Sequence, residues 1–451
     1  MAKIQKPPEF GLLLKQYGDQ IFELTQAVKA VDDKGRYLHW NEFRRYPAAG
    51  ANKEAVWAAI KIARACGGKT LELRSECGHP FSLYLTDYCE AVIHGVEGVN
   101  TRLGGHESFS SSSGENNRYL VDSLMMEEAI SSAQLEGAAT TRKDAKEMLV
   151  KERLPVNDDE RMILNNYRLM KFAKHAKGEQ LSIDLMCEFH RIATTGVDDK
   201  HVHPGHIRED DEIFVGGAGG EVVHQPPKAA LLFERLEALC QFANDRHDGK
   251  DGRHFIHPVV KAIILHFMMG YEHPFRDGNG RTARCLFYWF MLKSGYWPLE
   301  YISISALLKE APIKYGYSYV YTETDSFDLT YFVVHQLQVI ERAINQFMEY
   351  FECKIEESSA LVAWLKTLKI HDELNYRQGH LLKKVLSHPG RIFTAKELTH
   401  DYDISENTAR KDLEKLASMK AFLKVQEGKS FLYVARNDAE QHLKKSAANR
   451  A

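Results

Sequence analysis

His273-Pro274-Phe275-Arg276-Asp277-Gly278-Asn279-Gly280-Arg281-Thr282-Ala283-Arg284 is the stretch from which the rest of the chain can be read. Gly278 and Gly280 flank Asn279 just ahead of a helical pattern over Thr282–Lys293. Glycines let a backbone turn sharply and approach a ligand closely. Successive N–H groups in such a turn, feeding a helix N-terminus, form a concave anion site. Arg281 and Arg284 stand three apart on the new helix and share a face. Two guanidiniums beside a nest of amides suit a polyphosphate. Asp277 lies at the edge of that nest, where a carboxylate usually holds Mg2+ together with phosphate oxygens. His273, four residues earlier, can take a proton from an incoming hydroxyl near neutral pH. Metal, polyphosphate and base in one short run point to nucleotidyl or phosphoryl transfer. A plain turn between two core helices, with His273 satisfied by backbone, does not account for so many functional residue types together.

Outward from this stretch the pattern is mostly helical, from Tyr119 to about Phe351. The spacing predicts helices from Asp122 (as cap) to about Glu136, and over Glu160–His175, Ile183–Thr194, Lys228–His247, His257–Tyr271, Thr282–Lys293 and Asp328–Phe351. Glu212–Val223 (EIFVGGAGGEVV) departs from that pattern, with two short apolar runs around a glycine-rich centre, the signature of a β-hairpin. Ser108–Asn117 (SFSSSSGENN) cannot build a core and reads as a linker over 108–118. It sets off an N-terminal region, 1–107, with helical stretches at Asp19–Val31 and Lys53–Cys66 and strand-like pieces at Thr70–Leu73 and Phe81–Leu85. Beyond Ile370 come a helix at Leu381–Ser387, a short one at Ala395–Thr399, and a third over Ser405–Met419 with Ser405 as its cap. Phe422–Gln426 and Ser430–Val434 then read as a two-stranded wing. Residues 438–451 read as a fraying tail.

The 451 residues suffice for two to four domains. Hydrophobic content of 44% and charged content of 27% are those of a globular protein. A net charge of −3 excludes a polyanion binder as a whole, so any nucleic-acid contact needs a local patch. Seven scattered cysteines without a CxxC pair read as reduced thiols. Cys66, Cys77, His79 and Cys89 match no zinc-finger spacing. Met1–Phe10 has no apolar signal-peptide core, and Ala262–Gly270 falls short of the roughly 20 residues a membrane span needs. The expected location is the cytoplasm.

The stretch resembles the Fic family signature HxFx[D/E]GNGRxxR at every defined position, and the likeness extends over most of 119–351, within an expected catalytic domain of 119–355. The resemblance implies a mainly α fold: a Fic helical bundle with one β-hairpin flap, here joined to an N-terminal α+β region and a C-terminal winged helix-turn-helix. It implies protein adenylyltransfer, AMP passing from ATP to a Ser, Thr or Tyr hydroxyl of a target protein or of the chain itself. His273 would be the general base and Phe275 a buried anchor. Asp277 would hold Mg2+. Gly278, Asn279, Gly280, Arg281, Thr282 and Arg284 would bind the nucleotide. Kinase relatives carry Lys in place of the second glycine; Gly280 here favours attack at the α-phosphate.

Ser132-Ala133-Gln134-Leu135-Glu136-Gly137 resembles the family's inhibitory helix, [S/T]xxxE[G/N]. The resemblance implies that Glu136 pairs with Arg284 and denies it to the γ-phosphate, and it leaves AMP removal open. The hairpin over 212–223 would dock a target backbone, with Val215, Gly216 and Gly217 also near the nucleotide, after a Gly205-His206-Ile207-Arg208 run similar to the family's GxxR. His201, His203 and His206 read as loop histidines rather than a metal cluster. Tyr317 and Tyr319 lie where relatives place adenine contacts. Relatives of this branch often form homodimers. Residues 370–437 resemble a winged helix; Ile370–Arg436 holds 12 Lys and Arg against 9 Asp and Glu, mild for a DNA reader, so protein docking is favoured over DNA. The alternative for the whole chain is a nucleotide-sensing transcription regulator.

Overall fold

The computed structural model describes residues 4–46, 52–104, 114–197, 202–216, 222–367, 373–402, 404–427 and 430–448. Two compact units divide the chain, Met1–His106 with Asp122–Ile344, and Glu107–Val121 with Asn345–Ala451. Up to its first long helix the chain forms α1 (Phe10–Leu24), α2 (Trp40–Phe43), α3 (Lys53–Gly67), β1 (Lys69–Arg74), β2 (Pro80–Leu83) and α4 (Asp87–Gly104). Next come α5 (Gly114–Leu135), α6 (Arg142–Val150), α7 (Asp158–His175), α8 (Ile183–Thr194), β3 (Val215–Gly216) and β4 (Val222–His224). They are followed by α9 (Leu232–Asn244), α10 (Pro258–Glu272), α11 (Asn279–Lys293), α12 (Ile304–Glu310), α13 (Pro312–Thr324) and α14 (Thr330–Thr367).

The platform of the first unit is the pair α10 and α11. Side chains on every side of α10 from Val259 to Met269 are buried, which identifies an interior helix rather than an amphipathic surface one. His257 starts it by accepting from the Val259 N–H, and Pro258 occupies the first helical position. From Arg281 to Leu292, α11 is buried in the same way. Fully burying each large apolar side chain contributes about 1.5–3 kcal/mol, so the two helices form a stiff base for the loop between them.

The N-terminal residues, read from sequence as a region apart, belong to this same unit. Phe81 of β2 meets Phe267 and Tyr271 edge to face, with ring centroids 5.7 and 5.5 Å away. The buried Arg64 guanidinium lies 3.7 Å from the Tyr37 ring centroid and donates to the Tyr331 hydroxyl at 2.7 Å. Lys61 pairs with buried Asp325 at 2.9 Å. These are long-range contacts between local patterns that carry no mark of their partners.

Several boundaries differ from expectation. α5 begins at Gly114, so Asp122 lies inside the helix rather than at its start, and part of the expected linker is helical. The rest of that linker, 108–113, lies outside the described residues. α14 runs on to Thr367, the first helix is Phe10–Leu24 rather than Asp19–Val31, and α4, α6, α12 and α13 were not anticipated. No helix among the described residues is long and apolar enough to cross a membrane.

The second unit holds α15 (Tyr376–Ser387), β5 (Ile392–Phe393), α16 (Ala395–Tyr402), α17 (Glu406–Ser418), β6 (Phe422–Glu427), β7 (Ser430–Ala435) and α18 (Ala439–Ala448). The sheet order is β5-β7-β6, antiparallel throughout. Leu381, Leu382, Leu413, Leu416, Phe422 and Tyr433 form its core. Asn375 starts α15 with a reciprocal capping box, and Ser405 caps α17. The tail expected to fray is helix α18, whose Leu443 is buried in that core.

Candidate active site

The loop from His273 to Gly278 connects α10 to α11, and its shape follows from two residues in left-handed conformation. His273 ends α10 at φ 45°, ψ 56°, and Gly278 precedes α11 at φ 77°. Such a φ is routine for glycine and costs another residue roughly 1–2 kcal/mol, so His273 needs holding. Arg208 supplies the hold. Its Nε donates to the His273 carbonyl at 3.0 Å, its own N–H donates to the Pro274 carbonyl at 2.8 Å, and its far end donates to Asp210 O and Pro227 O. Asn279 clips the loop from within, accepting from the Phe275 N–H at 2.9 Å and donating to the Phe275 carbonyl at 2.7 Å.

Beneath the loop lies His190 of α8, which the sequence reading passed over. Its ring stacks on Phe275 with centroids 3.7 Å apart and planes within 2°. Nδ1 accepts from the Gly205 N–H at 2.9 Å, and Nε2 lies 2.8 Å from the Asp277 carbonyl. A carbonyl only accepts, so Nε2 carries the proton. Burial pushes this histidine's pKa down to about 4, so it stays neutral in that tautomer. Gly278 fits closely over the same support: a Cβ there would stand 2.8 Å from Thr194 Cγ2 and 3.2 Å from His190 Cδ2. The pattern that could have disclosed His190 is its place beside Ala193 and Thr194 on the buried face of an otherwise ordinary amphipathic helix.

The His273 imidazole is held at Nδ1, 3.3 Å from the Gly270 carbonyl, which leaves Nε2 as the basic nitrogen. Burial lowers its pKa to about 4, against an upward pull from the neighbouring Glu136 carboxylate. At neutral pH it is therefore an unprotonated base. The end of α10 behind it is fixed by Arg235, which grips Glu272 through two bonds of 2.7 Å, and by His224 of β4, whose Nε2 donates to the Tyr271 carbonyl at 2.8 Å. Burial lowers the His224 pKa, and the Glu323 carboxylate on Nδ1 more than restores it.

Three side chains expected in the nucleotide cradle face inward instead. Asn279 is used by the loop, as above. Thr282 is fully buried, its hydroxyl donating to the Gly278 carbonyl at 2.9 Å. Arg281 is buried, donating to the Ala193 carbonyl at 2.8 Å and to Asp277 Oδ2 at 2.6 Å. What the loop presents outward is backbone: α11 starts at Gly278 with no side-chain cap, so its first-turn amides are left to an external acceptor. Asp277 is 51% exposed, and Arg281 engages only one of its carboxylate oxygens. A hard oxygen donor with a free lone-pair side, beside unpaired amides, fits Mg2+ held jointly with phosphate.

Arg284 is 1% exposed and reaches this site from α11. Its NH2 donates to Glu136 Oε1 at 2.8 Å and to the Ser132 carbonyl at 3.2 Å, and its Nε donates to Ser132 Oγ at 2.9 Å. Glu136 lies directly over the loop: a Cβ on Gly280 would fall 2.2 Å from its Oε1. Ser132 and Glu136 thus meet Gly280 and Arg284, two pairs far apart in sequence, at one point. Eight residues before Glu136, on α5, Glu128 is buried and accepts from Ser303 Oγ at 2.8 Å and the Ser305 N–H at 3.1 Å, tying α5 to the start of α12.

β3 pairs antiparallel with β4 through Val215↔His224 and Gly216↔Val222. Phe214 and Val222 are exposed, and Gly217 lies outside the described residues, as does His201. The two tyrosines read as adenine contacts diverge. Tyr319 packs into the platform, stacked on Phe267 at 5.0 Å. Tyr317 turns the other way, into a cluster with Tyr37, Tyr321 and Tyr331.

Residues 180–291 match the family described as Fic/DOC family. "Protein adenylyltransferase Fic" of Drosophila virilis is 31% identical over 147 residues, 32% of this chain and 27% of that protein. The protein of the same name from Drosophila melanogaster matches at 31%, over 32% of this chain and 26% of its own length. The chain thus spans about a quarter of the length of these curated relatives. A Fic family protein from Desulfovibrio desulfuricans G20, of known crystal structure, shares the fold at a TM-score of 0.50 with 17% identity, covering 78% of this chain and 95% of that one.

Proposed function

We propose, with the Fic-like segment as premise, that the chain is a protein adenylyltransferase: it moves AMP from ATP to a hydroxyl of a protein, and Glu136 restrains it. One observation carries the reading. A neutral histidine, an uncapped helix start and a half-exposed carboxylate converge on one loop, and a second carboxylate occupies the arginine beside it.

His273 Nε2 would take the proton of the attacking hydroxyl. The hydroxyl oxygen forms a bond to the α-phosphorus, the bond from that phosphorus to the bridging oxygen breaks, and pyrophosphate leaves. The backbone around Gly278 and Gly280 would cradle the phosphates, donating without any reorganisation of side chains. Mg2+ held by Asp277 would offset the polyphosphate charge. Arg281 keeps Asp277 aimed by occupying its other oxygen. Arg284 would orient the terminal phosphate, which sets the α-phosphorus in line for attack.

In the present conformation Glu136 is an intramolecular stand-in for that phosphate. An anionic oxygen rests over Gly280 and on Arg284, the two features a terminal phosphate would use. ATP entering against it loses the guanidinium and the space together. Ser132, on the last turn of α5 just before Glu136, stiffens the arrangement by giving Arg284 two further acceptors.

The edge of β3 away from β4 pairs with no strand among the described residues, and exposed Phe214 immediately precedes β3, which suits strand addition by a target peptide. The second unit's order of helices and strands supports the winged-helix reading. Its exposed cations are largely answered within the unit, Arg410 by Glu406 at 2.8 Å and Lys424 by Glu414 at 3.0 Å. That favours protein docking over DNA, where free cations would meet phosphates.

The test is intact mass after incubating the native chain, Glu136→Gly, and Glu136→Gly with His273→Ala, with ATP and Mg2+, alone and in cell lysate. AMP adducts that increase in the first variant and vanish in the second establish the reading. Absence of AMP transfer to any protein in all three refutes it.

A further inference from the structure

On the side of α13 away from the catalytic loop is a cavity of about 740 Å3 between the N-terminal residues and α13–α14, within the range of small-molecule sites. Tyrosine rings line it in two near-parallel pairs, Tyr37 with Tyr84 (centroids 5.9 Å, planes 22° apart) and Tyr317 with Tyr321 (5.8 Å, 25°). Lys29, Lys34 and Lys314 stand at its rim, exposed, and none of them forms an ion pair among the described residues. Arg36, also at the rim, is taken by Asp32 at 2.6 Å. Of the two acids at the cavity, Glu42 is half-buried and Asp87 is exposed.

Tyrosine faces accept a planar ring of any sequence, and free ammoniums act as point charges for phosphate. We propose that this cavity binds a nucleoside monophosphate, with the base against Tyr84 and Tyr317 and the phosphate among Lys29, Lys34 and Lys314. Neutral aromatics would leave three cations unanswered, and a phosphate without a ring would leave the tyrosine walls empty.

The occupant would bear on the brake through α13. Lys314, Tyr317 and Tyr321 face the cavity, while Tyr315 and Tyr319 face the platform. The Tyr315 hydroxyl lies 2.8 Å from His266 Nε2 and feels the Arg284 charge. Tyr319 rests on α10 at Gly270, where a Cβ would come within 2.5 Å of its hydroxyl. One rigid helix therefore touches the ligand on one side and, on the other, the supports of Arg284 and His273. This consequence rests on the adenylyltransferase reading; the binding itself does not.

Isothermal titration of the full chain with AMP, GMP and ribose 5-phosphate tests it, beside Lys34→Glu/Lys314→Glu and Tyr317→Ala. AMP and GMP should both bind, ribose 5-phosphate should bind about tenfold more weakly for want of a base, and each variant should lose roughly tenfold or more in AMP affinity. AMP should alter the labelling rate of the native chain and not that of the rim variant. The lysines are exposed, so the rim variant reports on binding even if Tyr317→Ala fails to fold. No AMP binding, or AMP affinity unchanged in the rim variant, overturns the site. Binding that responds to the rim in a chain that transfers no AMP upholds the site while removing the catalytic reading.

Discussion

Glu136→Gly is the substitution with the most to reveal, because the residue does two separable things. Its carboxylate answers the Arg284 guanidinium at 2.8 Å, and its bulk fills the space over Gly280. A hydrogen bond between charged groups contributes about 1.5–3 kcal/mol. Glu136 is 30% exposed and Arg284 only 2%, so little of that is lost to screening. Each 1.4 kcal/mol is tenfold, and freeing Arg284 should therefore raise AMP transfer by roughly one to two orders of magnitude. Removing one partner of a buried pair normally costs stability. Here Ser132 keeps two bonds to Arg284 and buried Glu128 lies within electrostatic reach. The fold should therefore survive, with a loss of about 1–3 kcal/mol visible as a lower Tm. Glu136→Gln separates the two effects: it keeps the bulk and removes the charge, so its gain should be the smaller. The assay is initial rate of label incorporation from α-labelled ATP, with ATP affinity measured in parallel. An unchanged rate in Glu136→Gly, with ATP still bound, would refute the brake.

Three further outcomes are expected. Burial holds the His273 pKa near 4 and the Glu136 carboxylate pulls it up; without that carboxylate it falls further. Transfer by Glu136→Gly should then be level from pH 8 to about pH 6 and decline only toward pH 4, and an acid limb centred near the ordinary histidine value of about 6.5 would contradict the base assignment. Gly278→Ala forces a φ of 77° on a residue with a side chain and drives a Cβ to 2.8 Å from Thr194 Cγ2, which should cost about 1–3 kcal/mol in a thermal melt and most of the transfer rate. His190→Ala removes the ring under Phe275 and both of its hydrogen bonds; a loss of roughly 2–4 kcal/mol is expected, together with a lower rate, and a variant as stable and active as the native chain would show that the loop holds itself.

His273–Arg284 was legible because its chemistry is local. Gly278 sets a turn, the next residues start a helix, and the acid, base and guanidiniums lie within a few residues of one another. Ile183–Thr194 was legible to the residue for a similar reason, since Ser182 caps it and its apolar period is unbroken. Glu136 was legible as a candidate only through its motif.

Other features depended on where distant segments meet. Asn279, Arg281 and Thr282 look outward in a linear reading and are turned inward by partners such as the Ala193 carbonyl, 88 residues away. His190 looks like any histidine on an amphipathic helix until Phe275 is laid flat on it. Tyr317 and Tyr319, two apart on one helix, point to opposite sides because a helix turns by more than half a circle over that step. The separateness of 1–107 was an inference from a polar linker, and it failed because packing between Phe81 and Phe267, or Arg64 and Tyr37, leaves no local trace. Sequence alone determined the chemistry of the loop and the helical character of its surroundings, since both arise from neighbours along the chain. Tertiary structure alone decided which cations remain free, which histidines are neutral and which carboxylate meets Arg284, because each depends on burial and on charges brought together from distant parts of the chain.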